Sequence, residues 1–159
     1  MKNRKTNASR ILDSLDIPYE LLKYEFDEKQ LDAVHVAETI GRPPAQVFKT
    51  LCLRGDKTGV IFACIPGDGE LDLKKVAKIS MNKKVEIVPL KEVLPLTGYI
   101  RGGVSPLGAK KEFPVILDES AFCWEEILLS AGQRGTQLLL SPENLRRAVK
   151  AKIARIAIR

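Results

Sequence analysis

The 159-residue sequence has few of the residues that build metal centres and disulfide frameworks. It contains one histidine, His35, and three cysteines, Cys52, Cys64 and Cys123, which are widely spaced and form no C-x-x-C pair. A zinc site needs about four ligands at short spacings, so we exclude one. We expect all three cysteines to be packing residues, and we expect His35 to have a structural or surface role.

The sequence also lacks long apolar runs and nucleotide-binding fingerprints. No segment approaches the roughly 18 consecutive apolar residues of a membrane span. The basic start, MKNRKTN, is not followed by the apolar stretch of a secretory signal. Neither a G-x-x-x-x-G-K-[ST] loop nor a G-x-G-x-x-G helix start is present. We therefore predict a cytoplasmic protein with no membrane contact, no metal and no cofactor.

The length and composition are those of one globular domain, which we place at residues 1–159. Hydrophobic residues make up 45% of the chain, and the formal net charge is +6. The basic residues gather at the ends, because residues 1–12 and 144–159 contain no acidic side chain. Bases without intervening acids attract polyanions, so the two ends are candidate contacts for nucleic acid.

Apolar spacing and turn signals predict short helices and strands in mixed order. Helices are predicted at residues 6–15, 34–40, 43–48, 71–79, 90–94 and from 142 onward, and strands at 19–26, 50–54, 59–65, 85–88, 115–117, 124–129, 137–140 and 153–158. We expect a hairpin turn between Gly55 and Gly59, and we expect Pro95 to end the fifth helix. This order favours an α+β fold, or α/β with a mixed sheet, over a doubly wound parallel sheet.

Two glycine-rich segments stand out as functional candidates. GYIRGGVSPLG, residues 98–108, has four glycines and runs into Lys110 and Lys111, and LSAGQRG follows at residues 129–135. Segments so rich in Gly and Pro are neither helix interiors nor central strands, and long ordered loops are commonly functional. Two such loops in one small domain predict a pocket for a polar, phosphate-bearing ligand.

These two loops occur together with VFKTL, residues 47–51, and LLSPENL, residues 139–145. In this order and spacing, the segments resemble the YbaK/EbsC family of free-standing aminoacyl-tRNA deacylases, relatives of the editing domain of bacterial prolyl-tRNA synthetase. The resemblance spans nearly the whole chain and is greatest to the Cys-tRNA(Pro) deacylase branch. It implies a mixed sheet curled into a part-open barrel with surrounding helices. It also implies trans-editing, in which cysteine wrongly attached to tRNA(Pro) is removed.

The resemblance further implies roles for individual residues. Lys49 would be the essential lysine, and Gly102 and Ser130 would complete the catalytic set. Substrate-binding roles fall to Tyr24, Phe48, Thr50, Gly103, Ser105, Pro106, Gly108, Gly132 and Arg134. The sequence departs from the family at Gln133, where many members have a basic residue, and at Ala109, where many have a larger side chain. These departures bear on affinity and pocket depth.

No protein nucleophile activated by a base is evident, since the motifs contain no Ser-His-Asp set, no Cys-His set and no carboxylate pair. The family mechanism fits this deficit. The thiol of the substrate cysteine attacks its own ester carbonyl, closes a small thiolactone and releases the tRNA. The protein would hold thiol and carbonyl together, and backbone N–H groups of the glycine loops would stabilise the oxyanion. Such an enzyme is a lyase in type, whereas one that uses water is a hydrolase.

Two alternatives remain open at this point. The first is a sibling deacylase that removes alanine or another small amino acid with water as nucleophile. The second is a non-catalytic tRNA-binding module that assists prolyl-tRNA synthetase, although the presence of Lys49 and both glycine loops speaks against it. In each case the partner is the aminoacylated 3′ end of tRNA. A prolyl-tRNA synthetase partner would supply the tRNA selectivity, because so small a domain has no evident anticodon reader.

Overall fold

The computed structural model describes residues 5–158 as short helices and strands in mixed order. The helices are α1 (Asn7–Ser14), α2 (Ala33–Ile40), α3 (Leu73–Ser80), α4 (Leu90–Thr97) and α5 (Pro142–Val149), with 3₁₀ turns at Pro44–Gln46 and Glu119–Cys123. The strands are β1 (Glu20–Lys23), β2 (Phe48–Gly55), β3 (Gly59–Pro66), β4 (Glu70–Leu71), β5 (Val85–Ile87), β6 (Val115–Asp118), β7 (Ile127–Ser130), β8 (Thr136–Leu140), β9 (Lys152–Ala154) and β10 (Ala157–Ile158).

A five-stranded mixed sheet with the order β5-β2-β3-β6-β9 forms the centre of the fold. Strands β2 and β3 make the predicted hairpin, with Phe48 opposite Pro66 and Gly55 opposite Gly59. Strand β5 adds to β2 in antiparallel fashion, whereas β6 pairs in parallel with β3 and β9 in parallel with β6. Because parallel neighbours need a crossover connection, the chain between β3 and β6 is long enough to hold two helices and the first glycine loop.

A second sheet, with the order β1-β8-β7, contacts the first through β7 and β2. A parallel bridge between Val47, just before β2, and Leu128 of β7 joins the two sheets. A third, two-stranded ribbon pairs β4 with β10. The predicted α+β fold with a mixed sheet is therefore confirmed, and the sheets do not close into a complete barrel.

Alternate residues of β3 pack into two separate hydrophobic clusters, as the two-residue period of a strand requires. Phe62 and Cys64 belong to the larger cluster, which lies between the two sheets and is closed by α1 and α5. Ile61 and Ile65 face the opposite way and pack with Val76 of α3. Strand β3 is thus buried on both faces, which holds the adjacent end of β2 in a fixed position.

The helix termini follow the capping residues of the sequence. Thr6 and Ser9 form a capping box at the start of α1, and Ser141 accepts the N–H of Asn144 at 3.1 Å at the start of α5. Gly41 ends α2 in the left-handed conformation. These three boundaries agree with the sequence-based prediction. Within residues 5–158, no helix combines the length and apolar character needed to cross a bilayer.

Three predicted helix boundaries are wrong. The helix predicted from Leu71 begins at Leu73, because Leu71 belongs to β4 and pairs with Ala157. Pro95 does not end α4 but lies inside it, and the helix continues to Thr97 before Gly98 ends it in the left-handed conformation. Proline has no N–H to donate to the backbone carbonyl oxygen of Lys91. Because Lys91 is exposed, water can bond to that oxygen instead. The turn after Pro43 also stops early, at Gln46. The chain then enters β2 at once, because it must pair with β3.

Three predicted strands are shorter than expected. Strand β1 covers only part of 19–26, and β7 begins only at Ile127, because residues 124–126 are bends that follow a 3₁₀ turn capped by Asp118. The last strand, 153–158, is divided into β9 and β10. The buried carboxylate of Asp118 explains the division, since it accepts the N–H groups of Ile156 and Ala157, both at 2.9 Å. These two N–H groups therefore bond to the carboxylate and not to the carbonyl oxygens of a neighbouring strand, so the strand is interrupted there.

The cysteines divide into two groups. Cys52 and Cys64 are buried, as predicted, whereas Cys123 is exposed, so its expected packing role is wrong. It ends the 3₁₀ turn whose inward residue is Ala121. Its neighbour Phe122 is exposed as well, so the apolar character of this stretch does not indicate burial.

Candidate active site

A cavity of about 450 Å³ opens between the start of β2, the start of α2 and the first glycine loop. Its volume lies in the range of small-ligand sites, about 300–1,000 Å³. Gly67 makes the close approach of these elements possible, because a Cβ there would lie 2.8 Å from the Cβ of Ala33 and 2.9 Å from the carbonyl oxygen of Val47. The N–H of Gly67 donates to that same carbonyl at 2.7 Å.

Lys49 lies on β2 opposite Ile65 and lines this cavity. Its Nζ donates to the carbonyl oxygen of Gly67 at 3.2 Å, and no carboxylate in the described part of the chain lies within ion-pair distance. An ammonium group has three N–H donors, so donors remain for a ligand. Lys49 is therefore an anchored, half-buried positive charge at the cavity wall.

The other charged residues of the cavity lining are Asp32 and Arg101. Asp32 is engaged already, since its carboxylate pairs with the half-exposed imidazole of His35. Desolvation opposes ionisation of Asp32, but the hydrogen bond and the charge of His35 outweigh it and hold the pKa of Asp32 below its usual value. With Lys49 and Arg101 against one paired carboxylate, the cavity is electropositive and suits an anionic or ester ligand.

Ser130 and Gln137 lie side by side at another wall of the cavity, as a cross-strand pair of β7 and β8. The Oγ of Ser130 accepts the N–H of Gly132 at 3.1 Å, which leaves its own hydrogen for a ligand. Directly opposite residues of an antiparallel pair place their Cβ atoms about 4.5–5.5 Å apart on one face of the sheet. The two residues therefore form the same part of the cavity wall.

Tyr99 holds the two glycine loops together from behind the cavity. Its buried hydroxyl donates to the carbonyl oxygen of Leu107, and burial raises the pKa of Tyr99 to about 12. Gly132 and Gly108, both with positive φ, lie against this side chain. A Cβ at Gly132 would be 3.0 Å from the ring, and one at Gly108 would be 2.7 Å from the hydroxyl. Both glycines are thus required for packing around Tyr99.

Neither buried cysteine is a good nucleophile. Cys52 lines the cavity, but desolvation raises the pKa of its thiol despite the opposing charge of Arg54. Complete burial raises the pKa of Cys64 to about 12. Since the thiolate is the reactive form, both thiols are inert near neutral pH. Within residues 5–158, no group of three His, Cys, Asp or Glu side chains is placed to hold a metal ion.

Comparison with known proteins adds to this geometry. Residues 27–148 match the family described as the aminoacyl-tRNA editing domain. The chain belongs to this editing-domain family. It is 46% identical, over 96% of its length and 93% of the relative, to EbsC of Enterococcus faecalis, which is named as a candidate Cys-tRNA(Pro)/Cys-tRNA(Cys) deacylase.

More distant relatives agree with this membership. A proline–tRNA ligase of Thermosipho africanus is 30% identical over 60% of this chain, which corresponds to 19% of the ligase. The crystal structure of a candidate trans-editing enzyme for prolyl-tRNA synthetase has a TM-score of 0.82 at 23% identity, with 99% of this chain and 100% of that chain covered. At that identity the likeness shows that the editing-domain fold is shared.

Five of the residues predicted for the editing site line the cavity. They are Phe48, Lys49, Thr50, Gly102 and Ser130. Phe48 reaches it from the core and is almost fully buried, and the Thr50 hydroxyl lies 3.6 Å from the sulfur of Cys64. Three of the five, Phe48, Lys49 and Thr50, are consecutive residues at the start of β2. Lys49 is therefore the second residue of a strand and not the end of a helix.

The other predicted site residues of the editing domain lie outside the cavity lining. Gly103, Ser105, Pro106, Gly108 and Gly132 stand behind the wall in the packing between the loops. Arg134 donates from Nε to the carbonyl oxygen of Arg101 at 2.8 Å and so ties the second loop to the first. Tyr24 lines a smaller neighbouring cavity of about 100 Å³, which shares Leu31 and Val36 with the first.

The two positions at which the sequence departs from the family also lie away from the cavity. The side-chain nitrogen of Gln133 donates to the hydroxyl of Thr136 at 3.0 Å, and Ala109 packs against the larger core cluster. Sequence reasoning missed Arg101, Gln137 and the segment before α2 as lining residues. Arg101 could have been found as a cation inside the first glycine loop.

The basic ends of the editing domain are partly neutralised. Lys5 pairs with Asp13 at 2.7 Å, and Arg146 pairs with Glu143 on the same helix. Residues 1–4 and Arg159, which complete the predicted basic ends, lie outside the described residues. Arg101 in the first glycine loop is an exposed cation that lines the cavity, and Lys110, just after that loop, is exposed as well.

Proposed function

We propose that this protein is a trans-editing deacylase that removes mischarged cysteine from tRNA(Pro). The observation that carries the proposal is the position of Lys49, which projects unpaired donors into a ligand-sized cavity of an editing-domain chain. The relative EbsC, almost half identical over nearly the full length, is named for the same substrate. We further propose that residues 1–159 act as one editing domain, and that a synthetase partner supplies tRNA selectivity. A substrate of this kind places the activity in the cytoplasm.

The surroundings of the cavity suit the terminal nucleoside of tRNA. Ile87 and Leu90 line the cavity and remain more than half exposed, so they offer an apolar surface against which a base can lie. Lys49 and Arg101 supply positive charge for the ester and the flanking phosphates. The aminoacyl group would then point inward, toward Ser130 and Gln137.

The proposed nucleophile is the substrate's own thiol. Its S–H loses a proton, the sulfur attacks the ester carbonyl carbon, and the bond to the ribose oxygen breaks with that oxygen taking up a proton. The products are a β-thiolactone and free tRNA. The lining supports this route because it offers no strong protein base: the carboxylate of Asp32 is engaged by His35 and its pKa is lowered, and the raised pKa of Cys52 keeps that thiol protonated. Positioning of thiol and carbonyl supplies the rate, as effective molarity allows.

A side-by-side panel of Cys-tRNA(Pro), Ala-tRNA(Pro) and Pro-tRNA(Pro) tests the proposed substrate. Cysteine should be released fastest and proline should be retained. Faster release of alanine would favour a water-using sibling enzyme. Binding of all three without release would indicate a non-catalytic module. Each rate should be compared with spontaneous ester hydrolysis in the same buffer.

A further inference from the structure

Gln137 carries an unsatisfied polar atom at the cavity. Its side-chain oxygen is the sole fully buried side-chain oxygen or nitrogen within residues 5–158 that lacks a hydrogen-bond partner. The residue is 4% exposed and lines the cavity. Buried polar groups are nearly always paired, so an orphaned acceptor on a residue of the cavity wall calls for a donor, and a bound ligand can supply it.

The position of Gln137 is fixed by the sheet. Strand β8 is the middle strand, and Gln137 pairs with Leu22 of β1 on one side and with Ser130 of β7 on the other. Apart from Ser130, its cross-strand partner, the same face of this sheet is apolar near Gln137, because Leu22, Leu128 and Leu139 pack there under α2. A leucine at position 137 would match these neighbours. The polar side chain of Gln137 is therefore not required for packing in this part of the sheet.

The choice of donor follows from the charges around the cavity and rests on the proposed function. An aminoacyl ester carries one strong cationic donor, its α-ammonium group. Lys49 and Arg101 repel it, and the sole carboxylate of the lining, Asp32, is paired and half exposed. Gln137 offers a neutral acceptor away from that pair. An acceptor of this kind can bind an ammonium without a buried negative charge, which would be costly.

We propose that the side-chain oxygen of Gln137 accepts a hydrogen bond from the α-ammonium group of the aminoacyl ester. Gln137 then acts as a specificity-determining residue. It requires a free amino group, so N-blocked and peptidyl esters are disfavoured. It also fixes the aminoacyl group so that its side chain and its carbonyl take defined places beside Ser130 and Lys49.

The test compares two esters in the wild type and in Gln137→Leu. One is Cys-tRNA(Pro), and the other is 3-mercaptopropionyl-tRNA(Pro), which keeps the thiol and the ester but lacks the amino group. The variant should lose about 10- to 100-fold in kcat/KM on the cysteinyl ester, the range for a hydrogen bond to a charged group. It should match the wild type on the mercaptopropionyl ester. Equal losses on both esters would mean that Gln137 serves the thiol or the fold, and no loss on either would also overturn the proposal.

One further variant and one melting measurement exclude a folding artefact. Gln137→Glu keeps an acceptor oxygen and should restore most of the activity on the cysteinyl ester. Gln137→Leu removes an unpaired buried acceptor, so the free protein should melt at a higher temperature than the wild type. A lower melting temperature, together with weak activity on both esters, would show a structural role and refute the proposal.

A binding arm separates this proposal from the proposed function. The probes are unreactive amides of 3′-amino-3′-deoxyadenosine with cysteine and with 3-mercaptopropionic acid. The wild type should prefer the cysteinyl amide, and Gln137→Leu should lose that preference. If the wild type cleaved neither ester yet kept the preference, the proposed function would fail and the role of Gln137 would stand. If neither amide bound, both would be refuted.

Discussion

The packing of Gly132 against Tyr99 permits a quantitative prediction. Gly132→Ala forces a residue with a Cβ into a backbone conformation with φ of +99°, and its Cβ would lie 3.0 Å from the Tyr99 ring. Left-handed strain costs about 1–2 kcal/mol for a non-glycine residue, and overpacking adds about 1–3 kcal/mol. The variant should therefore lose about 2–5 kcal/mol in the free energy of unfolding.

Gly41→Ala is the matched control for this variant. Gly41 has a φ of +71° but no atom within 4 Å of a built Cβ, so only the backbone strain applies. Urea unfolding of Gly41→Ala measures the strain of a left-handed alanine, and the extra loss in Gly132→Ala comes from the contact with Tyr99 and from its larger φ. If Gly132→Ala were no less stable than Gly41→Ala, the loops would not be packed around Tyr99 as described. A loss of turnover without a loss of stability would instead place Gly132 in the substrate-binding wall, as the family resemblance implies.

Three further predictions concern single residues. Lys49→Ala should fold normally and lose deacylation by on the order of 10²-fold, the effect of a lost positioning contact, whereas the exposed Lys74→Ala on α3 should keep wild-type turnover; equal rates for the two variants would remove Lys49 from the site. Cys123 should be the first thiol to react with a maleimide, and the labelled protein should stay active, so inactivation that tracks this labelling would contradict its position outside the cavity. Asp118→Asn should lose about 1–3 kcal/mol at pH 7. Burial opposes ionisation of Asp118, but its hydrogen bonds from Ser120, Ile156 and Ala157 lower its pKa below 3.8, so its contribution is present above that pH and fades as the pH falls further. Urea unfolding measures the difference in free energy of unfolding between wild type and Asp118→Asn. If that difference were the same at pH 2 as at pH 7, the prediction would be refuted.

Features set by neighbouring residues were predictable from the sequence. The hairpin between β2 and β3 follows from alternating apolar runs around a turn, and the start of α5 follows from Ser141 and Pro142. Lys49 was found through its motif, and the hairpin accounts for its place in the cavity. In each case the deciding interactions lie within a few residues along the chain.

Features set by distant contacts were not predictable. The packing role of Gly132 depends on Tyr99, which lies in the other loop, and nothing in the local sequence indicates that pairing. Gln137 lies near the start of a strand that continues as three leucines, and its place at the cavity wall depends on the distant segments that complete the cavity around it. Cys123 appeared apolar from its neighbours, whereas the 3₁₀ turn directs it outward. Tertiary packing decides such cases over local propensity.

The most direct test of the proposed mechanism is a single-turnover comparison of Cys-tRNA(Pro) with Ser-tRNA(Pro). The two esters differ only by sulfur against oxygen, so binding discriminates them weakly, whereas a hydroxyl ionises negligibly near pH 7 and is a far poorer nucleophile. We expect rapid release from the cysteinyl ester, slow release from the seryl ester, and a thiolactone as the first product detected by mass spectrometry. Equal rates with only the open amino acids as products would contradict the account and identify water as the nucleophile.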